Sequence, residues 1–167
     1  MCILYSDDLA SLPLLVAKPK RKVASIFVKP EREVNTTFLH CSASDLAAHD
    51  DVSVIKRWHV VENGWSDVGY HFFIKRDGTI QFGRSLEHNP AAQKGHNTGS
   101  IAICLHGNAR FTKAQFKSLK KLCNDINNEY SGMVFRGHNE VNKGKACPVY
   151  DPKIVLGLDK KGRMAVT

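Results

Sequence analysis

The sequence predicts a single α/β domain in which helices cover a mixed central β-sheet. Residues 36–41 and 100–105 are short apolar runs with almost no polar alternation, a pattern typical of central strands that are covered on both faces. Asp77-Gly78 between two β-like runs predicts a hairpin. Thr112 begins a segment with helical apolar spacing. A chain of 167 residues is long enough to bury a core within one domain.

The first helix is predicted between an aspartate cap and a glycine stop. Asp50 or Asp51 caps its start, and Gly64 ends it after about residue 63, since short polar side chains satisfy the first amide groups and glycine adopts the left-handed conformation at helix ends. The inward apolar stripe of this helix is predicted to be Val54, Trp58 and Val61.

The hairpin strands are predicted at residues 69–75 and 79–83, and residues 90–99 form a polar loop. The second helix runs from a Thr112/Gln115 capping box to about residue 130. Its inward residues are predicted to be Phe116, Leu119, Cys123 and Ile126. A short strand at 133–136 and a helical turn started by Asp151-Pro152 complete the domain.

The ends of the chain are predicted to lie outside this domain. Residues 1–34 form an N-terminal basic extension with a Lys/Arg cluster at 18–22, residues 35–157 form the domain, and residues 158–167 form a loose, charged tail. The basic cluster suits lipid or wall anions, although a flexible arm that binds nothing is an equal alternative. Acidic residues near the start argue against a secretory signal, so we expect a cytoplasmic protein that reaches any outside substrate through a separate membrane lesion.

The charge and the cysteines limit the classes of partner. Twenty-four basic residues against sixteen acidic ones give a formal net charge of +8, which favours an anionic partner such as a wall polymer, a lipid surface or nucleic acid. No nucleic-acid-binding motif accompanies the charge, so we expect no specific nucleic-acid partner. Five cysteines without framework spacing are typical of reduced thiols, at least one of which is available to a metal.

The loop from His138 to Cys147 carries the clearest chemical signal. It joins an imidazole, a thiol and Lys145 in a stretch with little apolar material. Imidazole and thiolate are ligands that zinc prefers, and a catalytic zinc needs a third protein ligand with a fourth position left open. His40, inside the strand at 36–41, is one candidate. The alternative is a core histidine that is satisfied by hydrogen bonds, and spacing alone leaves both open.

Tyr70 and His71 precede the hairpin. Because adjacent residues of a strand point to opposite faces of the sheet, only one of these two side chains can face the site. His59 on the first helix is expected to pack or to face solvent.

Five ordered blocks make a resemblance specific. They occupy residues 38–43, 65–72, 75–78, 94–97 with 100–101, and 137–140 with 145–148. In this order they resemble type 2 N-acetylmuramoyl-L-alanine amidases, which share a fold with peptidoglycan recognition proteins, and within them the small amidases that short-tailed phages use as lysozymes. The resemblance covers roughly residues 36–156.

The resemblance implies a zinc ion (Zn²⁺) held by His40, His138 and Cys147, with Tyr70 and Lys145 as catalytic partners. It implies peptidoglycan as the substrate, cut at the amide bond between N-acetylmuramic acid and L-alanine, and nothing in the sequence demands more than a monomer. Read from the residues alone, Tyr70 is an ordinary strand tyrosine and Lys145 a surface lysine.

Substrate contacts are predicted at Arg76, His96 and Asn97. Arg76 could equally be a solvated charge, and Asn97 could hold its own loop. Related sequences commonly carry a histidine a few positions before Asn97, whereas Gln93 stands near that place here. The loop from His138 to the cysteine is also one residue longer than in close relatives, which would displace Lys145.

Two other functions compete with the amidase. One is a non-catalytic protein that binds peptidoglycan or regulates another protein, although a pure binder has no need of a metal thiolate. The other is a zinc peptidase that cuts within the stem peptide.

Overall fold

A computed structural model describes residues 25–165, and these form a five-stranded sheet in the order β3-β2-β4-β1-β5. The elements are β1 (Thr36–Cys41), α1 (Val52–Arg57), β2 (Phe72–Ile74), β3 (Ile80–Phe82), β4 (Ser100–Leu105), α2 (Lys113–Glu129), β5 (Val134–Gly137), α3 (His138–Val141) and α4 (Pro152–Leu156). Strand β1 is parallel to β4 and β5, β2 is parallel to β4, and β3 is antiparallel to β2. The predicted α/β class with a mixed sheet is confirmed.

The two faces of the sheet are packed differently. On one face, alternate strand residues such as Leu39 and Ile103 meet the apolar side of α2 in the larger core cluster. On the other face, Phe73 and Cys104 pack against Ile55 of α1. His40 is opposite Cys104 in the register of β1 and β4. It therefore lies on the α1 face, away from the main core.

Helix α2 follows its sequence signals closely. The Thr112 side chain accepts from the Gln115 amide, and the Gln115 side chain accepts from the Thr112 amide, so the predicted capping box is confirmed. The predicted inward residues of α2 belong to the main core or pack against it. Its cap and its apolar stripe agree, so local sequence alone specifies this helix.

The first helix begins and ends as predicted, from the Asp51 cap to Gly64 at φ +70°, but its last turn is not α-helical. Asp51 caps it by accepting from the Ser53 amide at 2.9 Å. After α1 the chain forms a wider, π-helical turn, Trp58–Glu62. The Asn63 amide donates a hydrogen bond of 3.0 Å to the Trp58 carbonyl. The wider turn rotates later side chains away from the stripe that ordinary helical spacing gives. Val61, predicted to face inward, is 73% exposed, so that prediction is wrong.

The hairpin forms around Asp77-Gly78 as predicted, with Arg76, Asp77 and Gly78 in its turn. Lys75 and Thr79 pair through a backbone hydrogen bond of 2.9 Å. Gly78 has φ +88°, a conformation that glycine adopts without strain, and the Asp77 carboxylate accepts from the Thr79 amide at 2.8 Å.

The segment at residues 25–34 packs on the domain, although it was predicted to be part of an extension. Phe27 and Val34 are 4% and 8% exposed. The Arg32 guanidinium donates to the Leu86 carbonyl and to the Ser100 carbonyl. The loop after β3 and the start of β4, both distant in sequence, therefore meet at this segment. The basic cluster at 18–22 lies outside the described residues.

Residues 158–164 are also packed, so the prediction of a loose tail is wrong for them. The Gly162 carbonyl accepts from the Phe135 amide at 2.7 Å, and the Asp159 amide donates to the Arg163 carbonyl. Gly162 has φ +79°, and a side chain there would meet the Phe135 carbonyl. The charged side chains of the segment are exposed, but backbone hydrogen bonds within it and to β5 hold its main chain in place. In the described part of the chain, no helix has the length and apolar character needed to cross a membrane.

Candidate metal and catalytic site

Three potential metal ligands meet on the α1 face of the sheet. One nitrogen each of His40 and His138 and the Cys147 sulfur all lie within 4.8 Å of one another. Parallel pairing explains part of this, because Leu39 is opposite Gly137 and each of these residues is followed by a histidine, His40 in β1 and His138 at the start of α3. The loop after α3 folds back and brings Cys147 beside the two histidines. The Asn139 amide donates a hydrogen bond of 2.8 Å to the Cys147 carbonyl and holds the loop there.

The donor set fits zinc. Imidazole and thiolate are both zinc ligands, three protein ligands are the number that a catalytic zinc takes, and ligand atoms of a tetrahedral site lie roughly 3.5 Å apart. His40 Nδ1 and Cys147 Sγ are 3.7 Å apart, and the two imidazole rings are 4.8 Å apart between centroids. His40 is 1% exposed, whereas His138 and Cys147 are partly exposed. The cluster is therefore anchored on its strand side and open on the other.

Both imidazoles are neutral at neutral pH, as metal ligands must be. Burial, with the neighbouring His138, lowers the pKa of His40 to about 3. Burial and the positive charge of Lys145 lower the pKa of His138.

Cys147 keeps its proton in the metal-free protein. A hydrogen bond with the Cys41 thiol and burial raise the pKa of Cys147, and the Cys41 amide also donates to its sulfur at 3.3 Å. A metal ion must displace this thiol proton to bind the sulfur, so metal binding by this site releases protons.

Tyr70 faces the cluster, and His71 does not. The Tyr70 ring lies 5.2 Å from the His40 ring between centroids. Burial raises the pKa of Tyr70 well above its usual value, so its hydroxyl stays protonated and can donate. His71 is 1% exposed, accepts at Nδ1 from the Ala102 amide and donates through Nε2 to the His88 carbonyl. The expectation that only one of the pair faces the site is confirmed.

Lys145 lies on the loop between His138 and Cys147. It is exposed, its amide donates to the Asn142 carbonyl at 3.0 Å, and its charge adds to burial in lowering the pKa of His138. Glu140 lies in the helical turn α3, and its carboxylate accepts from the Gly137 amide at 2.8 Å. This contact assigns Glu140 to capping the turn.

The three predicted substrate contacts lie in different places. His96 lines a groove of about 290 Å³ with Phe38 and Arg136, beside the strand that carries His40. Asn97 Oδ1 accepts from the Gln93 amide at 3.0 Å, so its oxygen holds its own loop. Arg76 donates to the Arg110 carbonyl at 3.1 Å, a contact that ties it to the loop after β4 and not to the ligand cluster.

Two neighbours of the ligands escaped sequence reasoning. Gln93 Oε1 lies 3.0 Å from His40 Nε2, and Cys41 contacts Cys147. Gln93 lies in a polar loop with no periodic pattern, so no sequence signal marks it as buried. Cys41 follows His40 directly, and only the fold of the distant loop makes it a neighbour of Cys147. His59 packs as expected, with its ring 4.4 Å from that of Trp65.

Comparison with known sequences identifies relatives over most of the chain. The family model described as N-acetylmuramoyl-L-alanine amidase matches residues 30–150. The endolysins of Enterobacteria phage T3 and Escherichia phage T7 are each 41% identical over 139 residues, covering 78% of this chain and 91% of the relative. Peptidoglycan-recognition protein SC2 of Drosophila melanogaster is 33% identical over 100 residues, 56% of this chain and 54% of that protein.

Solved structures show the same fold. The N-acetylmuramoyl-L-alanine amidase LysC from Clostridium intestinale superposes with a TM-score of 0.62 at 28% identity, over 70% of this chain and 77% of that one. The Ph2119 endolysin from a Thermus scotoductus bacteriophage gives a TM-score of 0.67 at 23% identity, over 78% and 86% of the two chains. The second likeness is evidence for the fold alone.

Proposed function

The chain belongs to the N-acetylmuramoyl-L-alanine amidase family, and we propose that it is a zinc-dependent endolysin that cuts the amide bond between N-acetylmuramic acid and L-alanine in peptidoglycan. The observation that carries the zinc requirement is the convergence of His40, His138 and Cys147 within 4.8 Å. Relatives named as endolysins and amidases support the substrate and the reaction.

His40, His138 and Cys147 are the residues that would hold the ion. Zinc bound by three protein ligands retains an open position, polarises a carbonyl group and makes water more acidic. The buried strand position of His40 fixes one ligand firmly, while the partly exposed His138 and Cys147 leave the cluster accessible from the loop side.

Tyr70 and Lys145 supply hydrogen bonds and charge on the accessible side. The Tyr70 hydroxyl is protonated throughout the neutral range because burial raises its pKa, so it acts as a donor and not as a base. The Lys145 ammonium can donate to the negative charge that develops on the amide oxygen in the transition state. A donor lowers the free energy of the transition state most when it is already positioned at the amide oxygen before the reaction begins.

The groove lined by Phe38, His96 and Arg136 would receive part of the wall polymer beside the cleaved bond. A net charge of +8 favours a polymer that carries peptide carboxylates. We propose that the protein works as a monomer, and that the wall becomes accessible after a separate lesion in the host membrane.

Mass analysis of wall fragments tests the reaction. Purified peptidoglycan digested with the zinc-loaded protein is expected to yield free lactyl groups on muramic acid and intact stem peptides beginning with L-alanine. New ends inside the stem peptide would make the protein a peptidase. Binding to the wall without any product, with zinc present, would make it a recognition module.

Exchange of single ligands links the reaction to the site. Cys147→Ser and His138→Ala are expected to lose bound zinc and wall cleavage together while the fold persists. His88→Ala, at an exposed loop histidine, is the matched control and should retain both. Loss of cleavage with zinc still bound in the ligand variants would contradict the assignment.

A further inference from the structure

Gln93 contacts His40 from the side opposite the ligand cluster. Its side chain is fully buried, and its Oε1 lies 3.0 Å from His40 Nε2. Buried polar side chains in folded proteins almost always have hydrogen-bond partners. An inference about this contact rests on the proposed zinc function, because it concerns how a ligand of that site is held.

The surrounding hydrogen bonds determine which end of the Gln93 amide faces His40. Its Nε2 donates to Ser100 Oγ at 2.7 Å and to the His96 carbonyl at 3.3 Å. Ser100 Oγ gives its own proton to the Asn97 carbonyl at 2.8 Å. A flipped amide would direct its oxygen at a hydroxyl whose proton is already donated and at a carbonyl oxygen. The amide oxygen therefore faces His40.

This orientation fixes the tautomer of His40. Because Gln93 Oε1 can only accept, His40 Nε2 must carry the ring proton. Neutral imidazole has one N–H, so Nδ1 bears the free lone pair. Nδ1 is the nitrogen that lies 3.7 Å from Cys147 Sγ. The nitrogen left free by Gln93 is thus the one that faces the other ligands.

The loop that carries Gln93 is itself held in place. Asn97 Oδ1 accepts from the Ala92 amide at 3.1 Å and from the Gln93 amide at 3.0 Å. The His96 amide donates to the Gln93 carbonyl at 2.9 Å. The backbone of Gln93 is therefore fixed from two sides. Its side chain reaches His40 from a rigid turn.

We propose that Gln93 is a positioning residue that holds His40 as the Nε2–H tautomer with Nδ1 directed at the metal, and that Ser100 and Asn97 orient Gln93 for this task. Partners of this kind restrict the ring rotation of a metal-binding histidine and typically change metal affinity by about 10- to 100-fold when removed. A neutral amide does so without adding a buried negative charge.

A pair of buried glutamines allows a matched test. Gln115 is also fully buried, and its amide donates to the Ile74 and His106 carbonyls. Gln93→Met and Gln115→Met each remove a buried amide with similar side-chain volume. Only the first removes a partner of His40. A general loss of packing or of hydrogen bonds would affect both variants in the same way.

Two readouts are needed, one of them without metal. In metal-free wild-type protein, nitrogen chemical shifts of the His40 ring should show a protonated Nε2 and an unprotonated Nδ1. In Gln93→Met the ring should become a mixture of tautomers, and zinc affinity, measured by competition with a chelator, should fall about 10- to 100-fold. Gln115→Met should retain the wild-type tautomer and zinc affinity.

The outcomes separate this inference from the proposed function. A protonated Nδ1 in wild-type protein, or unchanged zinc affinity in Gln93→Met, would overturn the role of Gln93 even if wall cleavage requires zinc. A wild-type protein that shows the Nε2–H tautomer but binds no zinc would contradict the proposed function instead. If Gln93→Met does not fold, Ser100→Ala removes only the orienting hydroxyl. It should shift the tautomer and zinc affinity in the same direction by a smaller factor.

Discussion

Lys145 adds to burial in lowering the pKa of His138, and we propose that it also stabilises negative charge on the substrate. Its ammonium group is exposed, yet it lies near enough to His138 to lower the pKa of that imidazole. Burial is the main cause of the lowered pKa of His138, and Lys145 adds to it; the same positive charge would stabilise negative charge on a substrate oxygen. A surface lysine far from the cluster would have neither effect.

Lys145→Met is expected to change both properties. The pKa of His138 in metal-free protein should rise, because a neighbouring positive charge is removed. Turnover of wall substrate should fall about 100- to 1,000-fold, as is typical when a donor to a developing oxyanion is lost. Zinc content should stay the same. Proton NMR titration and fragment release measure the two effects.

Lys143→Met is the control, since Lys143 lies in the same loop and is also exposed. It should leave the turnover and the pKa of His138 near their wild-type values. An equal loss of turnover in both variants would show that the loop's overall charge matters, and not the position of Lys145.

At the scale of single residues, the sequence predicts which side chains form the site better than it predicts which side chains contact one another. Residue type, spacing and a family resemblance predicted five site residues: His40, His138, Cys147, Tyr70 and Lys145. The fold brings the first three within 4.8 Å of one another and places the Tyr70 ring beside that of His40. Gln93 could not be found in this way, because its burial results from a loop folding under its own hydrogen bonds. A polar residue in a polar loop carries no pattern that distinguishes a buried side chain from a solvated one.

Among the elements, those with local start and stop signals were predicted well. The capping box of α2, the Asp51 cap of α1 and the positive-φ glycine of the hairpin are each specified by a few neighbouring residues. The π-helical turn at Trp58–Glu62 was not predicted, because ordinary helical periodicity extends through it. The segment at 25–34 was misjudged because its burial depends on partners distant in sequence.

Phe27 is expected to anchor that segment. Its ring packs near Phe72 and Tyr130, with centroid distances of 6.5 and 6.1 Å. Phe27→Ala should lower the free energy of unfolding by about 3–4 kcal/mol, as for other buried aromatic side chains. Urea denaturation followed by circular dichroism measures the change.

Val28→Ala provides the comparison, because Val28 is 75% exposed. It should change the free energy of unfolding by less than about 0.5 kcal/mol. Equal stability of Phe27→Ala and Val28→Ala would mean that the segment is not part of the folded domain.

For the whole molecule, buried neutral histidines make stability depend on pH. Burial, with the positive charges of Arg32 and Arg84, lowers the pKa of His71 to about 4 from its ordinary 6.5. The unfolded chain therefore takes up a proton at a higher pH than the native protein does. The contribution of His71 is fully present above about pH 6.5 and is lost as the pH falls toward 4.

A comparison with His71→Gln isolates the contribution of His71 to the pH dependence of stability. Between pH 7.5 and 5, metal-free wild-type protein should lose about 2 kcal/mol more stability than the variant, because glutamine does not titrate. Urea denaturation at a series of pH values gives the two curves. Parallel curves would contradict the neutral, buried state of His71.

The parallel arrangement of β1 and β5 explains why the candidate metal ligands meet in this fold. It places Leu39 opposite Gly137, so the histidines that follow these two residues lie close together, and the returning loop adds Cys147. The sequence predicted the sheet class and the three residues that meet in this cluster. It did not predict that residues 158–164 pack against β5, since a charged segment gives no sign of its backbone contacts.

The requirement for zinc in wall cleavage is best measured by titrating zinc into metal-free protein while following the release of free lactyl groups. Activity is expected to be absent without metal and to rise until one zinc ion is bound per chain. Cys147→Ser should show no such rise, and His88→Ala should match the wild type. Full lactyl release by metal-free wild-type protein would contradict zinc-dependent cleavage at this site.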